Sequence, residues 1–224
     1  VIGRPELSRL AASNGIGERA QEKDYLLAWL LAARASLGPR SLVLKGGTAL
    51  RRCYFPDYRY SEDLDFTADE NLPAPELAGM LDDWCSWLRG ETGIEAHGKA
   101  SDATSTTFFV EYVGPLQAGD GRDIKIDIAL DESVREGASV LSLLADYSDL
   151  ERGAFALEVY SLSEIWAEKV RSLMQRAEPR DLYDLDQLLV HEPELPVRAA
   201  DLFLRKARAK GLDPADLGRR LDAR

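Results

Sequence analysis

Three short stretches of this sequence combine residue types that could move a phosphoryl group. The first is Asp63-Leu64-Asp65, within Tyr60-Ser61-Glu62-Asp63-Leu64-Asp65-Phe66. In an extended chain, residues two apart share a face, so Asp63 and Asp65 point one way while Leu64 and Phe66 point into a core. Two adjacent carboxylates repel unless a cation lies between them, and Mg²⁺ is the usual hard-oxygen partner. A strand with a polar outer face has the same spacing and needs no metal. The second stretch is Ile124-Lys125-Ile126-Asp127-Ile128-Ala129-Leu130. Its isoleucines and Leu130 form one face, with Lys125 and Asp127 on the other, which makes Asp127 a candidate third carboxylate. The third stretch, Lys45-Gly46-Gly47-Thr48, carries a buried strand into two glycines and a helix start. Glycines let another group come close to the backbone, and free N–H groups at a helix start suit a phosphate. The same residues also make an ordinary tight turn with Thr48 as N-cap. In chain order they read strand, Gly-Gly, Asp-x-Asp, then Asp, which is the donor set of a two-metal phosphoryl-transfer site. A glycosyltransferase reading of Asp-x-Asp leaves Gly-Gly-Thr and Asp127 without a role.

Such residues need elements to hold them. The periodicity predicts a long amphipathic helix over 17–37, with Tyr25, Leu26, Trp29, Leu30 and Ala33 on one stripe, ending at Gly38-Pro39. A short strand over 41–44 follows, then a short helix from Thr48 to about Tyr54. The next expected elements are a strand over 63–67, a helix over 75–91, and strands over 94–99, 106–113, 123–130 and 155–160. From Ser163 onward only helices are expected, over 163–176, 180–191, 197–210 and 214–223. The fold class is therefore α+β: a mixed sheet flanked by helices over residues 1–160, with a helical subdomain over 161–224. Gly15-Ile16-Gly17-Glu18-Arg19-Ala20 matches a dinucleotide fingerprint, but it follows a helix rather than a strand and reads as a helix stop and restart.

Composition narrows the chemistry further. The chain has 224 residues, 45% hydrophobic and 30% charged, a folded composition. No apolar run is long enough to cross a membrane, and the first residues lack the basic-then-apolar pattern of a secretory signal. The expected location is the cytoplasm. Two cysteines, Cys53 and Cys85, and two histidines exclude a disulfide framework and a Cys-rich zinc site, and both cysteines read as core. The net charge of −11 argues against a surface that binds nucleic acid indiscriminately. From Arg198 to Arg224, however, eight basic residues stand against four acidic ones. Together with Arg51, Arg52 and Arg59, that stretch is the candidate contact for an RNA backbone.

The motifs then carry a resemblance. Glu22-Lys23-Asp24-Tyr25, Leu44-Lys45-Gly46-Gly47-Thr48-Ala49-Leu50, Tyr60-Ser61-Glu62-Asp63-Leu64-Asp65-Phe66, Lys125-Ile126-Asp127-Ile128, Glu164-Ile165-Trp166-Ala167-Glu168-Lys169 and Arg180-Asp181-Leu182-Tyr183-Asp184-Leu185 occur in that order. The sequence resembles the DNA polymerase β-type nucleotidyltransferase superfamily, and within it the AbiEii/AbiGii (MenT-like) toxins of bacterial toxin–antitoxin and abortive-infection systems. The resemblance implies a polymerase β-type fold and transfer of NMP from an NTP, with Mg²⁺ or Mn²⁺, to an RNA acceptor. That acceptor would be the tRNA 3′ end, with translation blocked as the result. A small molecule or a protein side chain is the alternative acceptor. Another alternative is a partner held by its antitoxin, with catalysis secondary. By position it implies metal binding by Asp63, Asp65 and Asp127, and nucleotide contacts from Gly46, Gly47, Thr48, Ser61, Lys169, Asp181 and Asp184. Asp63, Asp65, Asp127 and Lys169 would be catalytic. It also implies a cognate, AbiEi-like antitoxin as partner. In the last motif Arg180 stands where the family usually has lysine.

Overall fold

A computed structural model describes residues 1–38, 41–68, 72–102, 106–117, 122–132, 134–176 and 178–222. The chain divides into two compact units: Val1–Ser133 with Ser139–Val159, and Val134–Ala138 with Tyr160–Arg224.

The first unit opens with helices α1 (Arg4–Asn14) and α2 (Glu18–Leu37). Gly15 ends α1 in the left-handed conformation and Gly17 precedes α2 as its N-cap, so the glycine-rich fingerprint is a helix stop and restart. The stripe expected on α2 understates its burial. Every residue from Asp24 to Arg34 is buried, because α1 and α4 (Ala74–Thr92) both pack on it. Arg34 is 2% exposed and is tolerated there because its guanidinium reaches the Leu42 carbonyl and, at 2.6 Å, the Glu158 carboxylate.

The described residues form seven strands: β1 (Leu42–Lys45), β2 (Leu64–Ala68), β3 (Glu95–Ala100), β4 (Thr107–Val113), β5 (Asp123–Ala129), β6 (Ala138–Ser142) and β7 (Ala156–Tyr160). They form one mixed sheet in the order β3-β4-β5-β2-β1-β7-β6. β2 runs parallel to β5 and antiparallel to β1, and the register places Leu64 beside Ile126, Asp65 beside Asp127 and Phe66 beside Ile128. One face of this pair is therefore Leu64, Phe66, Ile126 and Ile128, all 1% exposed or less. Helix α4 contributes to that burial, with Trp84 edge-on to Phe66 at 5.9 Å. The other face carries Asp65, Lys125 and Asp127. Burial of the apolar side thus fixes the register that lines up the polar side. Cys53 and Cys85 are both free and buried, as expected.

The second unit is helical: α5 (Leu162–Gln175), α6 (Pro179–His191), α7 (Leu195–Ala209) and α8 (Asp216–Asp222). Ser161 caps α5 by accepting the Glu164 amide at 3.1 Å. Ala167, Val170 and Met174 of α5 pack against Leu202, Phe203 and Ala207 of α7.

Candidate active site

The turn after β1 is set by Gly46. Its φ of +76° is one that L side chains rarely adopt, and a Cβ there would lie 2.8 Å from Oδ2 of Asp65. Glycine is required twice over, and the effect is to bring the turn directly against the Asp65 carboxylate. Gly47 has a crowded neighbourhood as well: a Cβ would stand 3.0 Å from a terminal nitrogen of Arg59 and 3.3 Å from Ser61 Oγ. The helix then starts at Gly46 with Lys45 as N-cap, runs as α3 to Ala49, and widens into a π-helical turn over Leu50–Tyr54. Thr48 therefore lies inside the helix and is not its cap. Its hydroxyl instead donates to the Asp63 carbonyl at 2.6 Å, tying the turn to the segment that carries the first carboxylate.

Asp63 lies one residue before β2, and Asp65 lies within it. Asp65 and Asp127 face each other across the parallel β2–β5 register, on the same side of the sheet. The structure therefore brings together Gly46, Gly47, Ser61, Asp63, Asp65 and Asp127. It also shows what the sequence did not: Thr107 Oγ1 donates to Oδ1 of Asp127 at 2.7 Å, and the Lys125 ammonium holds Oδ2 at 2.5 Å. The Lys125 pKa is raised chiefly by that hydrogen bond, with the charges of Asp127, Asp63 and Asp65 adding to it. The lysine is thus within electrostatic reach of all three carboxylates. Among the described residues no group of three His, Cys, Asp or Glu side chains stands ready to hold a metal ion. Both Asp127 oxygens are already engaged. The donor chemistry still fits Mg²⁺, which is commonly held by one or two carboxylates together with substrate phosphates.

Behind the turn lies an ionic network built on Asp24, which is 3% exposed. Its carboxylate pairs with Arg51 at 3.1 Å and Arg52 at 2.5 Å and accepts the Tyr147 hydroxyl at 2.7 Å. Burial, with the Asp24 charge beside it, pushes the Tyr147 hydroxyl well above its ordinary pKa, so it stays a donor. Arg52 also donates to the carbonyls of Asp24 and Leu144.

In the helical unit, Lys169 lies 2.8 Å from Asp181 and 2.7 Å from Asp184, both 0% exposed, and Arg176 adds a second cation on Asp181. Asp181 and Asp184, expected as nucleotide contacts, are thus turned to the Lys169 ammonium and away from solvent. The structure does bring Lys169, Asp181 and Asp184 into one ion-paired group.

A profile of the nucleotidyl transferase AbiEii toxins of type IV toxin–antitoxin systems matches residues 29–223. The chain belongs to this family. Like its members, it is a nucleotidyltransferase toxin. Among solved structures, MenT4, a nucleotidyltransferase toxin from Mycobacterium tuberculosis, superposes with a TM-score of 0.70 at 22% identity, over 89% of this chain and 69% of its own. That likeness bears out the α+β fold. An antigenic nucleotidyltransferase-like protein from Paracoccidioides brasiliensis gives a TM-score of 0.47 at 16% identity, over 91% of this chain and 93% of its own. The antibiotic-resistance factor ANT(2'')-Ia gives 0.46 at 16% identity, over 84% and 94%. No curated protein sequence matches the chain.

Of the basic residues expected to meet RNA, the structure turns some to the protein's own acceptors. Arg52 is 5% exposed, and its guanidinium, like that of Arg51, is spent on Asp24 and neighbouring carbonyls. In the C-terminal stretch Lys206 is 4% exposed and paired with Glu164 at 2.5 Å and Glu168 at 3.2 Å. Arg198 pairs with Glu192, and Arg219 with Asp216. These cations balance the protein's own carboxylates. Spacing alone gives no sign of this, because several of the partners lie far away in the chain. No described helix is long and apolar enough to cross a membrane.

Proposed function

We propose that this AbiEii toxin transfers NMP from an NTP to the 3′ hydroxyl of an RNA, foremost tRNA, and so blocks translation. The observation that carries this reading is the placement of Asp65, which lies against the Gly46 turn and across the register from Asp127. Backbone N–H groups of Gly46 and Gly47 take phosphate oxygens. Asp63 and Asp65 would hold a divalent cation together with those oxygens, and the cation would supply charge neutralisation at the α-phosphoryl group. Asp127, oriented by Thr107 and Lys125, receives the proton of the acceptor hydroxyl. A new bond forms between that oxygen and the α-phosphorus, the bond from the α-phosphorus to the bridging oxygen breaks, and pyrophosphate leaves.

The internal pairing of Arg51, Arg52 and Lys206 supports a second reading, in which the acceptor is a small molecule or a protein side chain that needs no basic track. One experiment separates the two. The protein is incubated with Mg²⁺, each labelled NTP in turn and total bacterial tRNA, and the products are run on a denaturing gel. Label in the tRNA band, absent with Asp65→Ala, is the expected result. Pyrophosphate release only when lysate protein or metabolites are added moves the acceptor to the second class. Full activity of Asp65→Ala sinks the site.

A further inference from the structure

Arg59 differs from its neighbours Arg51 and Arg52, which turn inward to Asp24. The residue is half-buried, and its guanidinium lies against Gly47. A Cβ on Gly47 would stand 3.0 Å from one terminal nitrogen and 3.5 Å from the guanidinium carbon, so this position stays open to Arg59 because residue 47 has no side chain. Ser61 Oγ borders the same spot, 3.3 Å from that point. The backbone around Arg59 is clamped. Arg51 donates to the Tyr58 carbonyl at 2.5 Å and to the Pro56 carbonyl at 3.3 Å, and its guanidinium carbon lies 3.7 Å from the centroid of the Tyr60 ring. Arg51 is itself fixed by Asp24. Arg59 adds a bond of its own, from Nη1 to the Tyr60 carbonyl at 3.2 Å. A chain of contacts from the Asp24 network through Arg51 thus sets where the Arg59 fork stands before any ligand arrives.

We propose that Arg59 is a triphosphate-binding residue, taking non-bridging oxygens of the β- and γ-phosphates of the NTP together with the Ser61 hydroxyl, and is not an RNA contact. This rests on the reading of the Gly46–Asp65 face as the nucleotidyl-transfer site. The chemistry suits the position. A planar guanidinium donates two parallel hydrogen bonds to phosphate oxygens, and its charge offsets the polyphosphate beside Asp63 and Asp65. Arg51 then acts as a positioning residue, which gives the buried Asp24 a task in the site: it holds the arginine that holds Arg59.

The test is equilibrium dialysis, with Mg²⁺, of labelled NTP, the matching NMP and inorganic triphosphate against the wild type, Arg59→Gln and Arg59→Lys, with thermal melting of each. Arg59→Gln is expected to weaken NTP and inorganic triphosphate by roughly tenfold or more, the loss of a charged hydrogen-bonding pair. It should leave NMP affinity and the melting temperature unchanged. Arg59→Lys is expected to recover part of the loss, because it restores charge without the fork. Equal NTP affinity in Arg59→Gln and wild type overturns the inference and leaves the transfer site standing. Equal loss of NTP and NMP with a lowered melting temperature also overturns it, by assigning Arg59 to the fold. A wild type that binds no NTP removes the transfer-site reading itself, and the inference with it.

Discussion

Gly46 shows how one backbone position joins local conformation to chemistry. With φ at +76° it sits where an L side chain costs about 1–2 kcal/mol, before any contact is counted. The contact is a carboxylate oxygen 2.8 Å from the missing Cβ, and that carboxylate belongs to a short side chain on a central strand with little room to yield. Gly46→Ala should therefore act twice. It should lower stability by about 2 kcal/mol, read by chemical denaturation, and it should displace Asp65 enough to abolish transfer. Gly47→Ala meets the ends of flexible side chains, Arg59 and Ser61. It should cost little stability while weakening NTP binding. If the two alanine variants behaved alike in both assays, the turn would have no division of labour between its glycines.

At the scale of elements, much was legible in advance. Alternation in Ile124–Leu130 gave the two faces of β5, and the same alternation in Leu64–Phe66 put Asp65 on the polar side of β2, because a period of two needs no tertiary information. β6 had no such signal. It is an edge strand with no buried residue: Ala138, Val140 and Ser142 are exposed, and Ser139 and Leu141 are half-buried. The inward turn of Arg52 was equally invisible, since Tyr147 and Leu144 lie more than ninety residues away in the chain. The same holds for α5 and α6. Their sequence offers Lys169 as a ligand for phosphate, yet the folded helices place it between two carboxylates that are 0% exposed. Removing the ammonium would take away the cation nearest to both buried carboxylates, with Arg176 still beside Asp181, so Lys169→Met should destabilise the helical unit by about 3 kcal/mol. A lysine serving only a ligand would leave denaturation unchanged, and unfolding curves of the variant without nucleotide decide between the two. Adding Asp181→Asn and Asp184→Asn to Lys169→Met should return part of the lost stability, because two buried negative charges are then removed along with their cation.

Charge is a property of the whole chain, and here it constrains how an RNA acceptor is met. The chain carries 28 basic and 39 acidic residues. Of the basic residues, Arg34, Arg52 and Lys206 are buried in ion pairs with the protein's own carboxylates. Each such pair removes a cation from contact with phosphate and leaves the chain's net charge of −11 unchanged. A polynucleotide held along its backbone releases counterions in proportion to the phosphates neutralised, with a slope of about −0.7 to −0.9 per contact in log K against log salt. If tRNA is gripped mainly at its 3′ end, the contacts are few, about three. The KM for tRNA should then rise by no more than roughly fortyfold between 50 and 200 mM salt. The affinity for NTP, set by a turn, a cation and Arg59 in a confined place, should change much less over the same range. Measuring both constants across that salt series settles the point. A slope near −8 for tRNA would require an extended basic track, which these pairings argue against. A flat response for both substrates would instead place the acceptor among uncharged groups, because a phosphate backbone cannot be bound without displacing its ions.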